Sequence, residues 1–257
     1  MQGCDVRSFG EQISFGNVRN TIPWSKTGYN ADVGVTSEDM WSYGGVYVWP
    51  AAAVAMEVIS TGGGAANDAA AGTGVQQVQI GYLDASYNYA TEIVTMTGGV
   101  AAPCVANMFR IQSFRAYRVG ATVPAAAAGT INLRSVAGAV VVSQIPVGFT
   151  RARNNCWTVP AGKMLYVTSV AFSTGSAAGN KAVLMTTRAT YDDASALVLG
   201  PNFFMPYHEI QVMDGVFIRQ IEVPTKLPAT TDIKVSAQSD SAGAVCTSVL
   251  RGYLVTL

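Results

Sequence analysis

The 257-residue chain contains one histidine, His208, in the segment MPYHEI, so any catalytic arrangement that needs an imidazole must use it. A Ser-His-Asp or Cys-His system would pair it with a nucleophile and an orienting acid. No GxSxG elbow accompanies it. A lone histidine reads first as a hydrogen-bonded structural residue, and multi-histidine zinc spacing cannot occur with one. The 16 carboxylates are scattered, with adjacent pairs at Glu38-Asp39 and Asp192-Asp193. Neighbours on a strand point to opposite faces, so neither pair suits two-carboxylate glycoside hydrolysis. Asp192-Asp193 offers oxygens for calcium but reads first as the start of a turn. Gly62-Gly63-Gly64 lacks the Lys-Ser/Thr and the following helix of a phosphate loop. These residues predict no catalytic group, no metal and no cofactor.

Binding chemistry has more material. Aromatic residues cluster at Trp41, Tyr43, Tyr47 and Trp49, and again at Tyr82, Tyr87 and Tyr89. Such clusters stack sugars or bases, although core and interface packing are commoner uses. Arg110, Arg115 and Arg118, in FRIQSFRAYR, form the most basic patch. With no Lys/Arg run around it, the patch points to an inter-subunit contact rather than to nucleic acid. The candidate interface residues are therefore Trp41, Tyr47, Trp49, Arg110, Arg115 and Arg118.

Composition agrees with that emphasis. Only 12% of residues are charged, against about 25% in ordinary soluble domains. Acids and bases balance at 16 each, so the basic footprint of a nucleic-acid binder is missing. A charge-poor surface with zero net charge favours association, which predicts buried subunit contacts. No uninterrupted apolar run is long enough for a spanning helix, and the N-terminus has no apolar core of a secretory signal. Cys4, Cys104, Cys156 and Cys246 form no CxxC pair. They read as reduced, mostly buried thiols made in a cytoplasm, with one long-range disulfide left open.

The elements that must carry these residues are strands. In the segment 74–98, Val78, Ile80 and Tyr82 alternate with Gln77, Gln79 and Gly81, and Val94 and Met96 alternate with Thr95 and Thr97. That is a half-buried antiparallel hairpin, with Glu92 on its surface. In 38–50, Val46 and Val48 alternate with Tyr47 and Trp49, Gly44-Gly45 marks a turn, and Pro50 ends the strand. The stretch 62–74 is a loop too flexible to pack by itself. Further strands are expected at 56–60, 109–119, 130–136, 139–145, 164–172, 217–223, 232–237 and 246–256. The strand 182–190 reads as the partner of 164–172. Helical periodicity is absent. Gly/Pro-punctuated strands at this spacing predict an all-β, antiparallel sandwich or jelly roll. The expected organisation is an extended N-terminal arm at 1–30, ordered against a neighbour, a β-sandwich unit at 31–152 and a second at 153–257.

Four segments together resemble a family of virion structural proteins of tailed bacteriophages. The first is Glu38-Asp39-Met40-Trp41 with Gly44-Gly45, Tyr47 and Trp49-Pro50. The second is the hairpin, with Gly-Thr-Gly at 72–74, Leu83-Asp84, Tyr87 or Tyr89, Glu92 and Met96-Thr97-Gly98. The third is Val159-Pro160-Ala161-Gly162-Lys163, leading into a strand near Tyr166. The fourth runs from Leu227-Pro228 through Ala229-Thr230-Thr231 to Asp232-Ile233-Lys234. Departures occur at Tyr82, at Met96-Thr97 in place of Leu-Asn, and at Ala229-Thr230 in place of a charged pair.

The resemblance implies a non-enzymatic, β-rich particle component made in the host cytoplasm and located in the virion, on the capsid surface. Its expected partners are the major capsid protein and copies of itself, as a homotrimer, with no nucleic acid and no membrane. The leading expectation is a capsid decoration (cement) protein that bridges capsid subunits. A tail, neck or fibre component, receptor-binding in some cases, is the alternative, and a carbohydrate-binding β-sandwich using the Trp41–Trp49 cluster is a third.

Overall fold

The structure, a computed structural model, describes residues 8–121, 126–176, 181–200 and 202–257. Cys4 and the rest of 1–7 lie outside them, as do 122–125 and 177–180 in two expected loops. A short helix, α1 (Phe9–Ser14), opens the described chain. Its first turn is closed by a capping box, in which the Ser8 hydroxyl accepts from the Glu11 N–H and the Glu11 carboxylate accepts from the Ser8 N–H. Then come β1 (Thr21–Val33) and β2 (Glu38–Asp39). The middle of the chain carries β3 (Val54–Thr61), β4 (Val75–Leu83), β5 (Tyr89–Thr95), β6 (Ala102–Met108), β7 (Arg110–Val119), β8 (Thr130–Ser135) and β9 (Val141–Ile145). The remainder carries β10 (Trp157–Thr158), β11 (Lys163–Ser176), β12 (Ala182–Ala189), β13 (Tyr191–Asp192), β14 (Leu197–Val198), β15 (Met205–Met213), β16 (Gly215–Leu227), β17 (Asp232–Ser239) and β18 (Ala244–Thr256). Among the described residues no helix is long and apolar enough to cross a membrane.

The strands build an all-β, antiparallel architecture of two sandwiches. In the first, the sheet β6-β3-β8-β9 packs on β5-β4-β7. Met56, Val58, Ile80, Met108, Phe114 and Leu133 fill the space between. In the second, β1-β18-β11-β16 packs on a sheet in which β17 pairs with β12, then β15, on one edge and with β10 and β2 on the other. Leu165, Phe172, Met185, Val235 and Leu250 are central there. Each such side chain, fully withdrawn from water, contributes about 1.5–3 kcal/mol.

The N-terminal region corrects an expectation. Residues 21–33 are not an arm reaching for a neighbour, because they form β1, which pairs along its length with β18. The strand sequence thus starts with β1 in the second sandwich, leaves it after β2, builds the first sandwich, and returns at β10. The inward face of β1 presents Trp24, Lys26, Gly28 and Asn30, which carry no apolar alternation to read. Gly28 is required there: a Cβ would lie 2.5 Å from the Met40 carbonyl oxygen.

Three other elements differ from expectation. β12 does not pair with β11; it crosses to the opposite sheet and lies between β15 and β17. Residues 46–50 alternate in burial as predicted, with Tyr47 and Trp49 inside, but join no ladder. The stretch 62–74 is packed rather than loose. Its Asp68 is fully buried and accepts from the Val75, Ala128 and Gly129 N–H groups and the Ser60 hydroxyl. The hairpin has the predicted form, with Gln77 opposite Thr95 and Leu83 opposite Tyr89. Asp192 opens a turn, accepting from the Ala194 N–H and the Ser195 hydroxyl.

Candidate functional site: a joint and a cationic cleft between the sandwiches

The two sandwiches are joined through a buried ion pair. Arg110, at the head of β7, sends Nε and Nη2 to the two carboxylate oxygens of Asp232, at 3.0 Å each. Its Nη1 donates to the Pro50 carbonyl at 2.6 Å. The guanidinium also lies over the Phe109 ring at 3.9 Å and the Trp49 ring at 5.2 Å. Asp232, at the head of β17, accepts from the Thr158 hydroxyl as well. Beside this pair, Asp39 on β2 accepts from Lys234 Nζ at 3.0 Å, the Ser236 hydroxyl at 2.8 Å and the Tyr47 N–H at 2.8 Å. Both carboxylates of the joint, Asp232 and Asp39, therefore have a cationic partner and further hydrogen bonds, the condition under which such buried charges are tolerated.

The candidate interface residues divide at this point. Trp41, Tyr47 and Trp49 stack edge to face at 5.0 and 4.9 Å and are 3–8% exposed. Arg110 is 2% exposed. These four are internal to the chain and are corrected from a subunit interface to an inter-sandwich joint; their apolar and cation–π contacts explain why an interface signature appears in the sequence. The enclosure also leaves no free ring face at Trp41 or Trp49 for a sugar. Burial pushes the Tyr47 hydroxyl far above its ordinary pKa. The segments at 38–50, 72–98, 159–163 and 227–234 converge on the same joint. Asp39 meets Lys234, Thr230 and Thr231 bond to Val159, and Ala161 N–H donates to the Tyr87 carbonyl at 2.9 Å.

Beside the joint, a cleft of about 210 Å³ opens between β1, β7 and the crossing segment that leads to β10. Lys26, Gln112, Arg115, Arg151 and Arg153 line it, and no carboxylate does. Lys26 Nζ donates to the Gln112 main-chain carbonyl and stands 5.9 Å over the Trp157 ring. Burial draws its pKa down from 10.5 to about 8, so the amine remains charged at neutral pH. The Arg153 guanidinium is held between the Tyr29 and Phe149 rings, at 4.0 and 4.2 Å. Arg115 and Arg151 lie directly opposite one another in an antiparallel bridge, a placement that like charges disfavour. Gln112 is 5% exposed, and neither its side-chain oxygen nor its nitrogen has a protein partner. Arg118, exposed and opposite Gln77, lies outside the cleft lining. Of the cleft residues only Arg115 was singled out by sequence; the others are brought together by the insertion of one sandwich into the other.

A third feature is the edge of β16, which among the described strands pairs only with β11. Val216, Ile218 and Val223 on it are 71%, 65% and 82% exposed. His208, on β15, shares a hydrogen bond with the Thr225 hydroxyl at 3.2 Å. Burial, then the Arg219 charge, lowers its pKa, and no carboxylate orients it. Among the described residues no three His, Cys, Asp or Glu side chains stand close enough to hold a metal ion. No protein-family model, curated protein or solved structure matches this chain.

Proposed function

We propose that the chain is a non-enzymatic structural subunit of a bacteriophage virion: a capsid decoration protein that binds the outer head surface and stabilises contacts between capsid subunits. The observation that carries this reading is the β16 edge. Residues 215–220 keep register with β11 on one side and, among the described strands, pair with none on the other, where Val216 and Ile218 are exposed. Such an edge is a template for another chain. The lower part of the strand is blunted, since 221–224, which end in Pro224, swing out of register and Lys226 follows. The bare part is therefore local, which suits a defined contact with a neighbouring subunit. The charge-poor composition and the ordered resemblance of four segments support the same reading, and neighbouring copies meeting as a trimer would multiply each small contact over the lattice.

Cryo-electron microscopy of the particle tests the proposal, with quantified virion bands as a second measure. Density on the head and hundreds of copies are expected. Density confined to the tail, with tens of copies or fewer, overturns the head assignment in favour of a tail, neck or fibre part.

A further inference from the structure

We propose that residues 215–219 of β16 pair antiparallel with the same residues of a second copy of this chain, about a two-fold axis at Phe217. The inference rests on the reading of this edge as a subunit contact and names the subunit.

The edge is open where several others are closed. On β6 the Glu92 carboxylate accepts from the Val105 and Ala106 N–H groups at 2.6 and 3.1 Å. β7 is covered by the segment that crosses to β10, with Ala116 N–H donating to the Thr150 carbonyl and Ala152 N–H to the Phe114 carbonyl. β1 carries Pro23, and the lower part of β16 carries a register break and Pro224. A proline, a bulge or a covering segment keeps other strands off an edge. The segment Gly-Val-Phe-Ile-Arg-Gln at 215–220 has no proline and no break in register.

What selects a second copy is the pattern of that segment. Antiparallel pairing about an axis normal to the sheet keeps each face on its own side. With the axis at Phe217, Val216 faces Ile218 of the second copy, Phe217 faces its own twin, and Arg219 faces Gly215. Val216 and Ile218 are exposed. They stand in line with Ser173 and Ala171 of β11, then with Thr247 and Val249 of β18, so the two outer faces join without a charge. Arg219 needs room and an anion. Gly215 brings no side chain, nothing lies within 4 Å of the place its Cβ would take, and the exposed Asp214 adjoins it. Moving the axis to Ile218 sets Val216 against Gln220 and brings the two Arg219 side chains diagonally together, which like charges disfavour. Zero net charge leaves no long-range repulsion between copies. A two-fold contact uses both edges at once, so it joins copies in pairs, and any trimer contact lies on another face.

Sedimentation equilibrium up to about 0.5 mM, a range suited to so small an interface, should show monomer and dimer in equilibrium. Ile218→Lys, checked for an unchanged melting temperature, should weaken association about tenfold or more. Register is read by oxidising Phe217→Cys in a Cys4→Ser background. Directly opposed Cβ atoms stand about 4.5–5.5 Å apart, near the span of a disulfide, so a dimer band on a non-reducing gel is expected. Gln220→Cys, whose twin lies about 20 Å away along the ladder, should give none. A chain monomeric throughout, full association in Ile218→Lys, or cross-linking of Gln220→Cys as readily as Phe217→Cys overturns the proposal. None of these outcomes depends on where the chain sits in the particle, so the head assignment stands or falls separately, by microscopy.

Discussion

Arg110 and Asp232, 122 positions apart, meet as fork and carboxylate with both contacts at 3.0 Å, and the pair ties β7 of one sandwich to β17 of the other. The side chains are 3% and 5% exposed. Arg110→Ala leaves the Asp232 carboxylate buried with only the Thr158 hydroxyl, so a loss of about 3–5 kcal/mol is expected. Denaturant unfolding followed by tryptophan fluorescence measures it. The variant should also separate one transition into two, because the joint couples the sandwiches. A single unshifted transition would show that the pair does not couple them.

Asp68 organises the connection from β3 to β4 and draws the segment before β8 onto it. Its carboxylate accepts four hydrogen bonds, three from main-chain N–H groups. Asp68→Asn places an amide N–H₂ against donors and should cost about 3 kcal/mol or more. Asp68→Ala should cost at least as much. Melting temperatures of both variants check this; a shift of a degree or less would count against the role.

Lys26 gives a pH dependence with a definite sign. Its pKa in the folded chain is about 8, below the ordinary 10.5, because burial penalises the charged amine. Between these values the unfolded chain binds more protons at this position, so its contribution to stability rises with pH. Below about pH 8 both states are protonated and the desolvation cost is fully present. The difference in unfolding free energy between the natural chain and Lys26→Met should be flat below pH 8 and then move in favour of the natural chain towards pH 10.5. Paired urea titrations at matched pH read it, and the subtraction removes tyrosine and cysteine titrations common to both.

The thiols should be inert in the folded state. Cys104, Cys156 and Cys246 are free, and burial pushes Cys104 and Cys246 up to about 12 and Cys156 well above its ordinary value. Since the thiolate is the reactive form, a Cys4→Ser variant should show almost no reaction with Ellman's reagent at pH 8. Addition of denaturant should release three thiols. Rapid reaction of the folded variant would contradict the burial.

What the sequence discloses follows from where the apolar side chains alternate. Val78, Ile80 and Tyr82 all point into one core, so the hairpin is legible without its partner strands. β1 is illegible for the opposite reason: its inward positions include Lys26, Gly28 and Asn30, which are explained by the Gln112 carbonyl, the Met40 backbone and a carboxylate on Glu38. Residues 46–50 show that alternation reports sidedness rather than hydrogen bonding. They bury Tyr47 and Trp49 against the joint without a strand beside them. Partner choice is not local at all, since β12 follows β11 in sequence yet joins the other sheet. The cleft is the least legible part. Lys26 and Gln112 become neighbours only because a whole sandwich is inserted between β2 and β10.

The insertion has a consequence for maturation on the ribosome. β18 lies between β1 and β11, so the sheet that owns β1 stays open until Ala244–Thr256 has emerged. The sandwich spanning 54–145 needs only its own strands and can close long before. Synthesis order and completion order are thereby reversed: the earliest strand is among the last to be secured, by a pairing of very high sequence separation. In the interval its exposed edge is vulnerable to mispairing with another nascent copy. Lys26, charged and inward-facing, and Pro23 make that edge a poor template while it waits.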